Sequence, residues 1–76
     1  MKLAERIEAK PDVMLGKPVI RGTRIPVELI LRRISEGAAE DDLLASYPHL
    51  TRDDIRAAVA FAADTIANDE IVEIVR

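Results

Sequence analysis

The chain has 76 residues, no cysteine, a single histidine and a net charge of −3. A chain of this size removes only roughly 60% of its unfolded surface from water on folding. Disulfides are excluded as reinforcement, as is a Cys/His zinc cluster, so association with another chain, most simply as a homodimer, is the expectation. No apolar run approaches the roughly 20 residues of a membrane span and no signal-peptide pattern opens the sequence, so a cytoplasmic protein without membrane contact is expected.

Residues 1–25 read as an extended arm or short β-hairpin. Pro11, Gly16, Pro18 and Gly22 recur too often for a helix to run through them. "DVML" and "PVIR" are short β-friendly runs with "LGKP" as a tight turn between them. Leu3 and Ile7 in "LAERIEAK" also fit one or two helical turns by their i, i+4 spacing.

From Pro26 the period changes. Proline suits a first helical position, and Val27, Ile30, Leu31 and Ile34 follow on one helix face. Gly37 supplies a stop, which places a helix at about 26–36. "AEDDLLASY" predicts a short second helix with acids at its start and Leu43, Leu44 and Tyr47 turned inward, ended by Pro48. Ala38 and Ala39 cap it poorly, so fraying is expected there.

Thr51 with Asp54 three residues later forms a variant capping box, and Leu50 with Ile55 a hydrophobic staple. Ile55, Val59, Ala62 and Ile66 make the apolar stripe of a third helix, widened by Ala58 and Phe61 and ending near Asn68. The closing "EIVEIVR" reads equally as helix extension or strand. The fold class expected is therefore mainly α. It comprises one domain: the arm over 1–25, a tri-helical, helix-turn-helix-like (homeodomain-like) unit over 26–68, and an apolar tail over 69–76.

Catalysis finds no support. His49 stands alone between Pro48 and a helix cap, no Ser or Cys nucleophile has a visible base, and Asp41-Asp42 and Asp53-Asp54 are explained by helix starts. "GKP" lacks the remaining elements of a phosphate loop. No enzyme, cofactor or metal is expected.

The charge distribution says more than the total. Residues 1–35 hold eight Lys/Arg and four acids, net +4, whereas residues 36–76 hold three Arg and ten acids, net −7. Such asymmetry fits two surfaces with different partners. Lys17, Arg21 and Arg24 alternate with apolar residues, and a turn at Gly22-Thr23 would bring Arg21 and Arg24 to a tip suited to phosphate oxygens. Arg32 and Arg33 lie off the apolar face of the first helix. These five are the candidate DNA-binding residues. The third helix opens Arg52-Asp53-Asp54, and its carboxylates argue against a recognition helix there. Ile71, Val72, Ile74 and Val75 of the tail are the candidate partner-binding residues, able to add a strand to another chain.

"GKPVIRGTRIPVELILRRISEG" followed by "LLASYPHLTRDDIRAAVAFAAD" closely resembles the prokaryotic domain-of-unknown-function family four hundred and thirty-three, over roughly residues 7–64. The motif falls on Gly16, Pro18, Ile20, Gly22, Thr23, Arg24, Ile25 and Val27, then on Tyr47, Pro48, Leu50, Thr51, Asp54 and Ile55. The resemblance implies a short helix-turn-helix or homeodomain-like protein. It implies an antitoxin that binds and neutralises a PIN-like ribonuclease toxin, with a further role at operator DNA. A homo-oligomeric DNA-binding regulator without a toxin, and a structural module that binds neither, are the alternatives.

Overall fold

A computed structural model describes residues 1–68. Three short antiparallel strands, β1 (Lys2–Ala4), β2 (Ile7–Glu8) and β3 (Val19–Ile20), form one sheet in the order β1-β2-β3. Three helices follow: α1 (Val27–Ser35), α2 (Glu40–Ser46) and α3 (Arg52–Ala67). Both expectations, an N-terminal β arm and a tri-helical unit, hold; the tail residues Ile71, Val72, Ile74 and Val75 lie outside the described residues.

The first hairpin sits earlier than "DVML" and "PVIR" suggested. Ala4 pairs with Ile7 across the two-residue turn Glu5-Arg6, so "LAERIEAK" is strand–turn–strand and not a helical turn. Arg6 takes the positive φ (67°). "DVML" leads instead into a single 3-10 turn, Met14–Gly16, in which Met14, Leu15 and Gly16 all have positive φ. The sheet's work is done by Ile7, Val19 and Ile20, each at most 1% exposed, with Ile7 directly paired to Ile20.

Proline stands one position earlier than expected: Pro26 is the N-cap of α1 (φ −67°, ψ 143°), and the Val27 N–H donates back to the Pro18 carbonyl at 3.0 Å. The helix ends in a Schellman arrangement. Ala38 N–H reaches the Arg33 carbonyl and Gly37 N–H the Ile34 carbonyl, both at 3.0 Å, with Gly37 at φ 98°. At α2, the Asp42 carboxylate accepts the Ala39 N–H at 2.9 Å, which supplies half of a capping box where the Ala39 methyl offers nothing in return. At α3 the box is complete: Thr51 N–H donates to Asp54 Oδ2 (3.0 Å) and Asp54 N–H to Thr51 Oγ1 (3.1 Å), with Leu50 and Ile55 both buried as the staple.

Ile7, Ile20, Val27, Ile30, Leu43, Leu50, Ile55 and Ala58 form the core, flanked by half-buried Leu31, Leu44, Tyr47 and Phe61 among others. One expectation fails on α3. Its buried residues are Asp54, Ile55 and Ala58, whereas Val59 is 46% and Ile66 56% exposed. Val59 stands to the side of the face that Ile55, Ala58, Phe61 and Ala62 turn inward, and for Ile66 the reason is length. Sixteen residues of α3 span about 24 Å at 1.5 Å per residue, while α1 has nine residues and α2 seven. Part of the apolar stripe outruns what the rest of the unit can cover.

The polar link between arm and helices is Arg6. Its guanidinium lies 3.2 Å from Asp54 and 3.6 Å from Asp53, joining the first hairpin to the start of α3 across 48 positions.

Candidate interaction site at the meeting of two turns

The segment "RGTR" begins where β3 ends. Ile20 accepts the Thr23 N–H at 3.0 Å, closing a four-residue turn whose third residue, Gly22, has φ 78°. That value favours glycine, because a Cβ in the left-handed region is strained. Thr23 is spent on the turn itself: its hydroxyl donates to the Ile20 carbonyl (2.7 Å) and accepts the Ile25 N–H (3.0 Å). The Gly22 N–H donates to Glu8 Oε2 at 3.0 Å, fixing the turn to the sheet. Ile25 and Pro26 run back along Ile20 and Val19, so residues 18–27 make a second, tight hairpin. Arg21 and Arg24 flank its apex, both exposed.

The second turn, between α2 and α3, comes to the same place. Gly22, Thr23, Arg24 and Ile25 from the first, and Ser46, Tyr47, Pro48 and His49 from the second, wall a mostly apolar concavity of about 330 Å³. Parts of the two motifs that carry the family resemblance, Gly22 to Ile25 and Tyr47 to Pro48, thus share one surface. The His49 side of it was not anticipated; only the co-occurrence of the two motifs pointed there.

Charge pairing divides the candidate DNA-binding residues. Lys17 lies 3.0 Å from Glu28, which also stands 3.9 Å from Arg32, and Arg33 is 4.0 Å from Glu36. The hydrogen bond and charge of Lys17, with a smaller contribution from Arg32, hold the Glu28 carboxyl below its ordinary pKa. Arg21 and Arg24 have no carboxylate within 4.0 Å among the described residues. The structure therefore separates the five into two arginines with unused charge at one apex and three cations engaged in exposed pairs along α1.

The charges at the start of α3 are paired within the chain. Arg52 is clamped between Glu40 and Asp41 of α2, at 2.7 Å to each, and these carboxylates raise its pKa still further. Asp53 and Asp54 are taken up by Arg6. Two arginines meet four carboxylates here, so the start of this helix keeps an anionic excess although every one of its charges has a partner. Among the described residues no cluster of three or more potential metal ligands occurs, and no helix is long and apolar enough to cross a membrane.

A two-hairpin arm laid on a capped tri-helical unit, with the arm's apex against the turn between the last two helices, is the class of small domain these features define. The chain matches the family model described as "Protein of unknown function (DUF433)" over residues 7–62, most of its length, and belongs to that family. It is 39% identical, with a TM-score of 0.75, to a DUF433 member protein from Anabaena variabilis whose crystal structure was determined at 2.00 Å resolution; the match covers 82% of this chain and 61% of that one. It is 34% identical over 58 residues to "Uncharacterized protein y4eO" of Sinorhizobium fredii, covering 76% of this chain and 26% of that protein. The chain thus spans about a quarter of the length of that curated relative and about three fifths of the crystallised one.

Proposed function

We propose that this chain is an antitoxin-type interaction module that holds a PIN-like ribonuclease on the surface where α1 meets the C-terminal helix α3. The observation that carries this reading is an apolar groove of about 230 Å³ between α1 and the far end of α3. Val27, Leu31, Phe61, Ala62 and Ile66 wall it, and the paired Lys17 and Glu28 stand at its edge. The chain's own described residues leave this furrow open beside the end of α3, from which the apolar sequence "IVEIVR" follows. Contiguous apolar surface of this kind favours a protein partner. The acidic balance of residues 36–76 suits the cationic, RNA-binding groove of a nuclease, because complementary charge speeds encounter.

The test is titration of this chain into a purified PIN-like ribonuclease from the same genome while RNA cleavage is followed. Stoichiometric inhibition is expected, weakened by Thr65→Glu, which places a charge in the groove from an exposed position. Full cleavage in the presence of excess chain rules the reading out.

A second activity, at operator DNA, is favoured by the unused charge of Arg21 and Arg24 at the apex of the arm. Changing both to alanine should lower affinity for a promoter duplex and reduce the slope of log K against log salt by about 2, one counterion per lost phosphate contact. An unchanged slope removes DNA from the account.

A further inference from the structure

We propose that the outer face of α3 is a self-association surface, on which a second copy of this chain docks its own α3 in antiparallel orientation. The proposal is argued independently of nuclease and DNA binding, although Ile66 also walls the nuclease groove, and stands on three features of that face.

The first is spacing. Arg56, Val59, Ala63 and Ile66 succeed one another at intervals of three, four and three residues, the pattern of a helix–helix seam. None of them is buried within the chain. Ala60 and Ala67 border the seam, and side chains this small let two helix axes approach closely.

The second is a knob and a hole on the same helix. Beside the seam, between α3 and the end of α1, lies an apolar groove of about 490 Å³ bounded by Ile34, Ile55, Val59 and Ala63 among others. Ile66, the most exposed large apolar side chain of α3 at 56%, stands two turns further on. A two-fold axis passing between Ala60 and Ala63 sets Val59 opposite the second copy's Ala63. It also lowers the second copy's Ile66 towards the groove beside Ile34 and Val59. The symmetry repeats each contact, as an isologous interface requires.

The third is charge. Arg52, Asp53 and Asp54 of α3 are all ion-paired within the chain. Arg56 and Asp64 have no oppositely charged partner among the described residues. They carry opposite signs and stand eight positions apart, about 12 Å along one helix, too far to meet each other. An antiparallel copy brings each within reach of the other's counterpart, twice over. A parallel copy sets like against like.

A single helix pair with these flanks falls at the lower end of specific interfaces, near 1,000 Å² in total, so the dimer dissociates on dilution and the equilibrium can be read. The experiment is sedimentation equilibrium of the full chain over a concentration series, with helicity followed by circular dichroism. Arg56→Asp alone and Asp64→Arg alone should each raise the dissociation constant by about tenfold or more, since each replaces two attractions by two repulsions. The double exchange, Arg56→Asp with Asp64→Arg, should restore it to within a few-fold of the original, which a merely misfolded variant would not do. Ala63→Glu, at the axis, should abolish the dimer. A chain that is monomeric at every accessible concentration overturns the proposal, as does a dimer indifferent to either single reversal or a double exchange without recovery.

Discussion

The two turns that meet at the candidate site are built on opposite principles. In the turn between α2 and α3, every polar group of the helix start is consumed. Thr51 and Asp54 satisfy one another, Arg6 completes Asp54, and Arg52 is held by two carboxylates. In the turn between β3 and α1, the backbone is just as firmly tied, by Thr23 and by Glu8, but Arg21 and Arg24 have no carboxylate partner among the described residues. The difference teaches where to look for work done on other molecules. A turn whose charged groups all find partners inside the chain is explained by stability, and one that fixes its backbone while leaving its cations unpaired among the described residues is held ready for a partner.

The sharpest way to break that contrast is Asp54→Ala. Asp54 is 7% exposed and takes both the Thr51 N–H and the Arg6 guanidinium. Its removal leaves the Thr51 N–H without its acceptor and the Arg6 guanidinium with only the longer contact to exposed Asp53, which loosens the first hairpin on α3. A loss of about 2–3 kcal/mol is expected, read from urea unfolding. A loss within the noise of a surface change would mean that this turn is not the stability element described.

Caps come next. Thr51→Ala should cost about 1 kcal/mol, as hydroxyl caps generally do. The converse change at the half-built start of α2, Ala39→Ser, should gain about 0.5–1 kcal/mol by completing the box that Asp42 already half supplies. If the two changes have equal and negligible effects, the difference between the two helix starts has been misread.

Much of this was legible in the sequence because it is local. The periodicity of α1, its glycine stop, and the box and staple of α3 each involve residues within one or two turns of one another, and each is present as read, except that Ile34 at the end of the α1 face is exposed. The apex carrying Arg21 and Arg24 was legible for the same reason, since Gly22 makes the turn cheap. What is not local was hidden. Leu3 and Ile7 fit a helix by spacing, and only the pairing of Ile7 with Ile20 and the reach of Arg6 to Asp54 decide for strands. The stripe on α3 was correctly apolar, but which part of it the short α1 and α2 could cover depends on their relative lengths and placement, so Val59 and Ile66 were assigned inward and lie outward. Among the cations, no spacing rule foretold that Lys17 would settle on Glu28 while Arg24 would find no carboxylate among the described residues.

At the other turn the expectation reverses. Arg21→Ala with Arg24→Ala should shift stability by no more than about 0.5 kcal/mol, the ordinary range for exposed positions without partners, even where duplex affinity falls. Thermal melts of the double variant beside Asp54→Ala put the contrast on one scale. A double variant that melts well below the parent would show that these arginines serve the fold.

The smallest effect sits between the two turns, at the ion pair that joins the arm to α1. The Lys17 ammonium, 3.0 Å from Glu28, keeps that carboxyl below its usual pKa, with Arg32 adding to the same direction. A carboxyl whose pKa is lower folded than unfolded contributes stability above its unfolded pKa. That contribution drains away as the pH falls through the folded value. Both partners are exposed, so the effect is screened and small. Lys17→Ala should therefore lower the urea midpoint slightly at neutral pH, and the gap from the parent chain should close on acidification through and below the ordinary carboxylate range. Added salt should narrow the same gap at neutral pH. A gap that is constant across the acid range would show that Lys17 contributes through the packing of its stem against Pro18 and the groove beside it, and not through Glu28.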